Sequence, residues 1–481
     1  MGLSPASIGY LFVFSTIALY AFVGLAGRTA DLDEYYVAGR RVPSLFNGMA
    51  TAADWMSAAS FISLTGTVYL TGFDGLVYVM GWTGGFCLVA LLLAPYLRTC
   101  GQYTIPDFLG GRYGGSVVRL LGAAVAILCS FVYVVAQIYG VGLITSRFTG
   151  VEFGVGVFLG LAGILVCSFL GGMRAITWTQ VAQYVILVVA FMVPATMLSL
   201  RHTGSFLPQL SFGRVIGMLE ARERALATDP SEIEVREVFA NRAKDYVQKL
   251  GDLPESWEAG RRVLRAHLES MRDINASFSE VRAAERAIAE YPKDVDDARQ
   301  RWNAARDANL ARAEAPVVDS EPFPGANESV RNSKRLNFLA LLFCLMVGTA
   351  GLPHILTRYY TTPSVHETRA SVAWSLFFIA LVYLTVPALA VLVKFDVLSQ
   401  LVGTPFTRLP SWVASWGALD KANPLVSVVD VNRDGVVQFA EIVVSPDVFM
   451  LALPELTGLP YFVSGLVAAG GLAAALSTAD G

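Results

Sequence analysis

Residues 430–441 read DVNRDGVVQFAE and place oxygen-bearing side chains at regular intervals. Asp430, Asn432 and Asp434 stand at positions one, three and five, and Gly435 stands at six. Val436 offers its carbonyl at seven, and Glu441 closes the stretch at twelve. This is the spacing of the twelve-residue EF-hand loop, whose hard oxygen ligands and terminal bidentate carboxylate suit Ca²⁺ over Mg²⁺. The flanks are less typical: PLVSVV precedes the loop, and only AEIVVS follows before Pro446. The plainer alternative is an Asx-rich turn without metal. A second group able to do chemistry is Asp54, set within the apolar stretch MATAADWMSAASF. A carboxylate at membrane depth costs about 2.5–3.5 kcal/mol on insertion scales, so it must face protein or a cation. His354, in MVGTAGLPHIL, and Asp480 are further ionisable groups in apolar surroundings. Each has a plainer reading, His354 as a packing residue and Asp480 as a hydrated group near the inner surface.

Composition shows what must hold these groups. The chain has 481 residues, 54% hydrophobic and only 16% charged, where soluble chains average about 25% charged. Residues 201–335 carry 22 of the 36 Lys and Arg and 23 of the 39 Asp and Glu, so the rest is strongly apolar. A net charge of −3 gives no basis for nucleic-acid binding. Cys87, Cys100, Cys129, Cys167 and Cys344 form no CxxC and no Cys/His cluster, which argues against a disulfide scaffold or zinc site. No nucleophile elbow, HExxH or P-loop is present, so an enzyme is not expected.

Nine apolar runs are long enough to span a bilayer, which takes about 20 residues. They cover 7–27, 43–73, 75–97, 120–146, 153–173, 175–200, 336–357, 371–393 and 456–479. The first lacks the basic n-region of a signal peptide. Arg28, Arg40, Arg41, Arg98, Arg112, Arg119, Arg174, Arg358 and Arg369 fall in short loops on one side, and Arg147 on the other. The positive-inside rule then puts the N-terminus and both long polar segments outside the cytoplasm, in a plasma or bacterial inner membrane. Gly348, Gly351 and Pro353 interrupt the seventh run. Irregular backbone at that depth is tolerated only where it lines protein or a water-filled cavity, and such interruptions typify secondary transporters.

At these residues the chain resembles the sodium:solute symporter family. GGMRAITWTQVAQY (171–184) matches its Gly-Gly signature, and GLPHILTRYYTTPSVHETRAS (351–371) looks like the acetate-permease branch. The similarity runs along nearly all of 1–200 and 336–481. It implies an all-α polytopic membrane protein with an inverted five-helix repeat, preceded by one extra helix. Three helices of the second repeat are then present, and the odd count with the stop at Gly481 suggests a truncated chain. The resemblance also implies a Na⁺ site made of the Ala52 and Trp55 carbonyls, the Ala474 carbonyl, and the Ser477 and Thr478 hydroxyls. Residues 474, 477 and 478 share one helix face by their i, i+3, i+4 spacing. Ser477 and Thr478 could instead simply bond back to the preceding turn. Asp54 would support the site. Gln180 follows Thr179 where many members carry an Asp thought to help release the cation, which leaves Na⁺ against H⁺ coupling open.

By the same resemblance the substrate is a small monocarboxylate such as acetate. Met56, Ser57, Ser60, Thr349, Gly351 and His354 would border its path, with Tyr133, Gln137 and Tyr139 as further polar groups. A small two-helix membrane companion is a possible partner. The competing reading is a non-transporting membrane sensor or complex subunit built on a symporter-like module. The expected division is a membrane domain of helices 1–6 (1–200), a charged helical extracytoplasmic insertion (201–335) and helices 7–8 (336–394). An extracytoplasmic loop with the calcium motif (395–455) and helix 9 (456–481) complete it. In the insertion, Trp257, Leu264, Leu268 and Met271 form an apolar stripe that Trp302 extends, as in a helical hairpin or small bundle.

Overall fold

A computed structural model describes residues 5–274, 276–325, 327–419 and 424–481; the side chains of 5–8, 159 and 163–170, Cys167 among them, are not described. Gly2, Leu3 and Ser4, part of the signal-peptide argument, therefore lie outside the described residues. The chain opens with α1 (Pro5–Ala26), the short α2 (Leu32–Val37) and α3 (Ser44–Trp55). After an interruption come α4 (Leu64–Thr71), α5 (Leu76–Leu88), α6 (Ala94–Cys100), α7 (Ile105–Tyr113), α8 (Ser116–Thr149) and α9 (Phe153–Thr203). The charged segment forms α10 (Pro208–Ser211), α11 (Gly213–Thr228), α12 (Pro230–Gly251), α13 (Glu255–Asp273), α14 (Phe278–Glu290) and α15 (Val295–Ala313). Then follow α16 (Glu328–Ala350), α17 (Pro353–Thr357), α18 (Val365–Tyr383), α19 (Thr385–Gln400) and α20 (Ser411–Gly417). Strands β1 (Val426–Val428) and β2 (Ile442–Val444) pair antiparallel, and α21 (Phe449–Leu456) and α22 (Tyr461–Asp480) end the chain.

Seven stretches among the described residues are long and apolar enough to cross a membrane. The protein is an all-α polytopic membrane protein with one two-stranded ribbon. The nine apolar runs do not map one to one onto helices. The fifth and sixth join in α9, bent at Gly172 (φ 51°, ψ −149°). Only glycine fits there: a Cβ would lie 2.4 Å from the Tyr35 carbonyl oxygen, and the left-handed φ strains any side chain. The second run is cut after Trp55, and the seventh after Ala350, where Pro353 starts a new turn. The two cuts lie five runs apart, the spacing that a five-helix repeat requires.

Helix α22 packs on α9, α8 and α1, while α3 lies between α18 and α9. Small residues permit this: a Cβ on Gly470 would lie 2.2 Å from the Ala190 Cβ. Arg119, near the start of α8, pairs with Asp107, and Arg147 at its end pairs with Glu455 at 2.8 Å. The polar segment after α19 therefore sits at the Arg147 end of α8.

One expected boundary moves. The eighth run was expected to end at residue 393, but α19 continues to Gln400 through Lys394 and Asp396. Both charged side chains have a partner. Lys394 Nζ lies 2.7 Å from Glu223 and 2.9 Å from Asp319, and Asp396 lies 2.9 Å from His202 Nε2. Glu223 and Asp319 belong to the charged segment, so this buried cluster fastens it to the membrane domain. Burial pushes the Glu223 carboxyl up, against the pull of Lys394. Within the insertion, α13 packs on α14, and the Trp257, Leu264, Leu268 and Met271 stripe is half-buried there. Trp302 is buried in the α12–α15 pair rather than extending that stripe.

Removing one partner of a buried ion cluster leaves uncompensated charge and costs about 3–5 kcal/mol. Lys394→Met should therefore lower the melting temperature of the detergent-purified protein and expose the insertion to protease. Unchanged melting would show that Glu223 and Asp319 are solvated there.

Candidate functional site

Helix α3 stops because Met56 (φ −82°, ψ 76°) leaves helical geometry. Its amide bonds the Ala52 carbonyl, and the Ser57 amide bonds the Trp55 carbonyl, both at 3.0 Å. The next free amide, on Ala58, donates to Gln137 Oε1 of α8 at 2.8 Å. A side chain from another helix thus satisfies the broken backbone, as burial away from water demands. Helix resumes as a wide turn at Ala59–Ser63 and continues into α4.

The last turns of α22 meet this break. Ser477 Oγ donates to the Ala53 carbonyl at 2.8 Å, and Thr478 Oγ1 to the Asp54 carbonyl at 3.0 Å. Both hydroxyls also approach the Ala474 carbonyl, at 3.1 and 3.2 Å. Five oxygens from two segments converge without an opposing charge among them. On α3 the carbonyls facing the hydroxyls are those of Ala53 and Asp54, not the expected Ala52 and Trp55, whose carbonyls are taken by the turn that ends the helix.

Beside these oxygens lies a fully buried ionic web. Arg358 Nε donates to Asp54 Oδ2 at 2.7 Å, and both side chains are inaccessible to solvent. Gln180 Nε2 donates to Asp54 Oδ1 at 2.9 Å and to the Ser477 carbonyl at 2.7 Å, while its Oε1 accepts from Arg358. Arg358 also donates to Thr177 Oγ1 at 3.1 Å. Arg358 was expected in a short loop as an orientation marker. It is instead the counter-charge of Asp54, carried inward by the turn after α17 (Arg358–Tyr360). The signal was present in the sequence, since an intramembrane carboxylate needs a cation, but any nearby Arg could have served. Gln180 joins Asp54, Arg358 and α22 in one network. Asp480, expected to be wet, is buried.

A cavity of about 190 Å³ opens at the break. Ser57, Ser60, Thr349 and His354 line it, together with Trp55, Trp82 and Tyr383. Tyr133 and Gln137 also line it, whereas Tyr139 is exposed and packs against Phe153. Met56 and Gly351 are not part of the wall. Tyr383 bonds Ser60 Oγ at 2.9 Å, and the Tyr133 and His354 rings stand 5.1 Å apart. The volume falls below the 300–1,000 Å³ usual for drug-sized ligands; His354 also borders a larger cavity of about 760 Å³ toward Tyr36 and Asp107.

At residues 430–441 the acidic side chains turn onto the backbone of their own loop. Glu441 accepts from the Val431 and Gln438 amides at 2.7 and 3.1 Å, and the loop exits through a short turn into β2 rather than a helix. Burial raises the Glu441 carboxyl, and Asp430 and Asp434 add to it. Among the described residues, no three His, Cys, Asp or Glu side chains are gathered closely enough to hold a metal ion.

The sodium:solute symporter family profile matches residues 35–211. An uncharacterised symporter of Cupriavidus necator is 57% identical over 480 residues, 98% of this chain and 70% of that one. A monocarboxylic acid transporter of Corynebacterium glutamicum is 24% identical over 382 residues, 79% of this chain and 53% of that one. The fold is similar to that of a Na⁺-coupled sialic acid symporter solved in a substrate-bound, outward-open state, with a TM-score of 0.57 and 15% identity. That match covers 98% of this chain and 70% of the other.

The web makes its own prediction. Arg358→Gln leaves Asp54 as an unpaired buried charge and should destabilise the protein by about 3–5 kcal/mol. Adding Asp54→Asn should restore most of the loss, read as detergent melting temperatures of the single and double variants. Independent, additive effects would rule out the pairing.

Proposed function

Because the chain belongs to the sodium:solute symporter family, we propose that it is a secondary active transporter that couples inward Na⁺ movement to uptake of a small monocarboxylate such as acetate. The observation that carries this reading is the meeting of Ser477 and Thr478 with the carbonyl end of α3. Na⁺ is a hard cation, and carbonyl dipoles with hydroxyls can replace its hydration shell. On this reading the ion enters between Ala53, Asp54, Ala474, Ser477 and Thr478, where hydroxyl and carbonyl now bond each other. The Asp54 carboxylate stays committed to Arg358, so it adds field rather than a ligand. The distant monocarboxylic acid transporter and the smallness of the cavity support the substrate class.

The substrate would sit beside the α3 break, against Ser57, Ser60, Thr349 and His354. Its carboxylate has hydroxyl donors there from Ser57, Ser60 and Thr349. Gln180, fixed between Asp54 and Ser477, would sense whether the ion site is filled. The N-terminus and the insertion would face outward, and a small two-helix companion would accompany the complete protein. The loop at 430–441 is a separate calcium proposal, and the coupling reaction does not pass through it.

Uptake of labelled acetate into vesicles bearing the complete gene product should rise with an inward Na⁺ gradient. Ser477→Ala combined with Thr478→Ala should abolish the Na⁺ dependence while leaving membrane insertion intact. Uptake indifferent to Na⁺ but responsive to pH would overturn Na⁺ coupling in favour of H⁺.

A further inference from the structure

The cavity of about 190 Å³ at the α3 break and the larger one of about 760 Å³ share one wall residue among those described, His354. One face of α8 borders both in succession. Arg119, Ala123, Ala126 and Ser130 line the larger cavity, and Tyr133 and Gln137 the smaller, at the three- and four-residue steps of a single helix face. Ala123, Ala126 and Ser130 are small. Tyr133, one turn further on, meets His354 with ring centroids 5.1 Å apart. The two rings therefore stand where the cavities would otherwise run together. The larger cavity lies at the Arg119 end of α8, away from Arg147 and the polar segment after α19.

The partition is polar as well as bulky. His354 Nε2, the ring atom farthest from the backbone, is withdrawn from solvent and has no hydrogen-bond partner among the described residues. A buried polar atom left unpaired is costly. An anion moving between the cavities would relieve it, because the tautomer protonated at Nε2 donates a hydrogen bond to a carboxylate. His354 also stands four residues before Arg358, on α17 and the turn that follows it. Arg358 is tied to Asp54 and Gln180, and Gln180 to the Ser477 carbonyl. One helical turn thus connects the partition with the buried web.

We infer that His354 and Tyr133 form the inner barrier of the solute path, and that the carboxylate leaves the small cavity past the imidazole, hydrogen-bonded by Nε2, into the cavity at the Arg119 end of α8. The inference rests on the proposed transport reading for the identity of the solute. The barrier itself does not depend on which solute passes.

The test reads the barrier by thiol labelling of the whole chain in membrane vesicles, with the five native cysteines replaced by alanine. A membrane-impermeant methanethiosulfonate is the probe, added on the side from which it labels Ala126→Cys. With His354 in place it should reach Ser60→Cys, in the small cavity, only slowly. A minor open state is populated about 0.1–10% of the time, so His354→Ala should speed that labelling about tenfold or more and leave Ala126→Cys unchanged. Tyr133→Ala removes the other half of the barrier; it should have the same effect and serves if His354→Ala does not fold. Unchanged labelling of Ser60→Cys would overturn the barrier. Failure to label Ala126→Cys from either side would also overturn it, because the larger cavity would then not meet water. His354→Phe keeps a ring but loses the nitrogen. It should leave Ser60→Cys shielded and raise the KM for acetate uptake about tenfold, the worth of one hydrogen bond to a charged group. An unchanged KM would remove Nε2 from the path and leave only the barrier. A wild type that takes up no acetate would end the transport reading and the role of Nε2 together, while labelling would still decide the barrier.

Discussion

A carboxylate cannot rest in the middle of an apolar bundle without a counter-charge, and Asp54 is such a carboxylate. The Coulomb attraction between Asp54 and Arg358 is the constraint around which the membrane domain is arranged, because both groups are withdrawn from water. Satisfying them draws three distant parts of the chain to one point. Helix α3 brings Asp54, the turn after α17 brings Arg358, and α9 brings Thr177 and Gln180 just beyond its bend. Gln180 passes the constraint on to α22 through the Ser477 carbonyl. The ends of α3 and α22 are thereby held at a fixed separation.

That separation sets the chemistry. Because α3 ends at Met56, carbonyls that a continuous helix would occupy become available to the Ser477 and Thr478 hydroxyls. The same interruption opens the cavity that Ser57 and Ser60 line, and Gln137 closes the broken backbone from the side. The converging oxygens and the cavity are therefore two consequences of one break. On the proposed reading this proximity would couple ion and solute, because the end of α3 borders both the converging oxygens and the cavity.

The polar segments are built on a different principle. They are helical pairs held by modest apolar stripes and attached to the membrane domain both by apolar packing, with Val215 and Leu219 of α11 buried in its core, and at a few buried charges. Lys394 between Glu223 and Asp319 is one attachment, and the Glu232 and Arg312 contacts to the 439–440 turn are another.

The sequence by itself determined the membrane class and the interruption of the seventh run at Gly351 and Pro353. Apolar runs must cross or bury, and Gly and Pro must interrupt, whatever the surroundings. It also identified Ser477 and Thr478 as one face of α22, since helical periodicity is local. Tertiary structure alone decided which partners these groups met. Arg358 lies 304 residues from Asp54 in sequence, and no periodicity relates them. The shift from Ala52 and Trp55 to Ala53 and Asp54 depends on the angle at which two helix ends meet, a matter of a single residue's rotation. The extension of α19 past Lys394 likewise needed Glu223 and Asp319, because the cost of a buried charge depends on partners that only folding supplies.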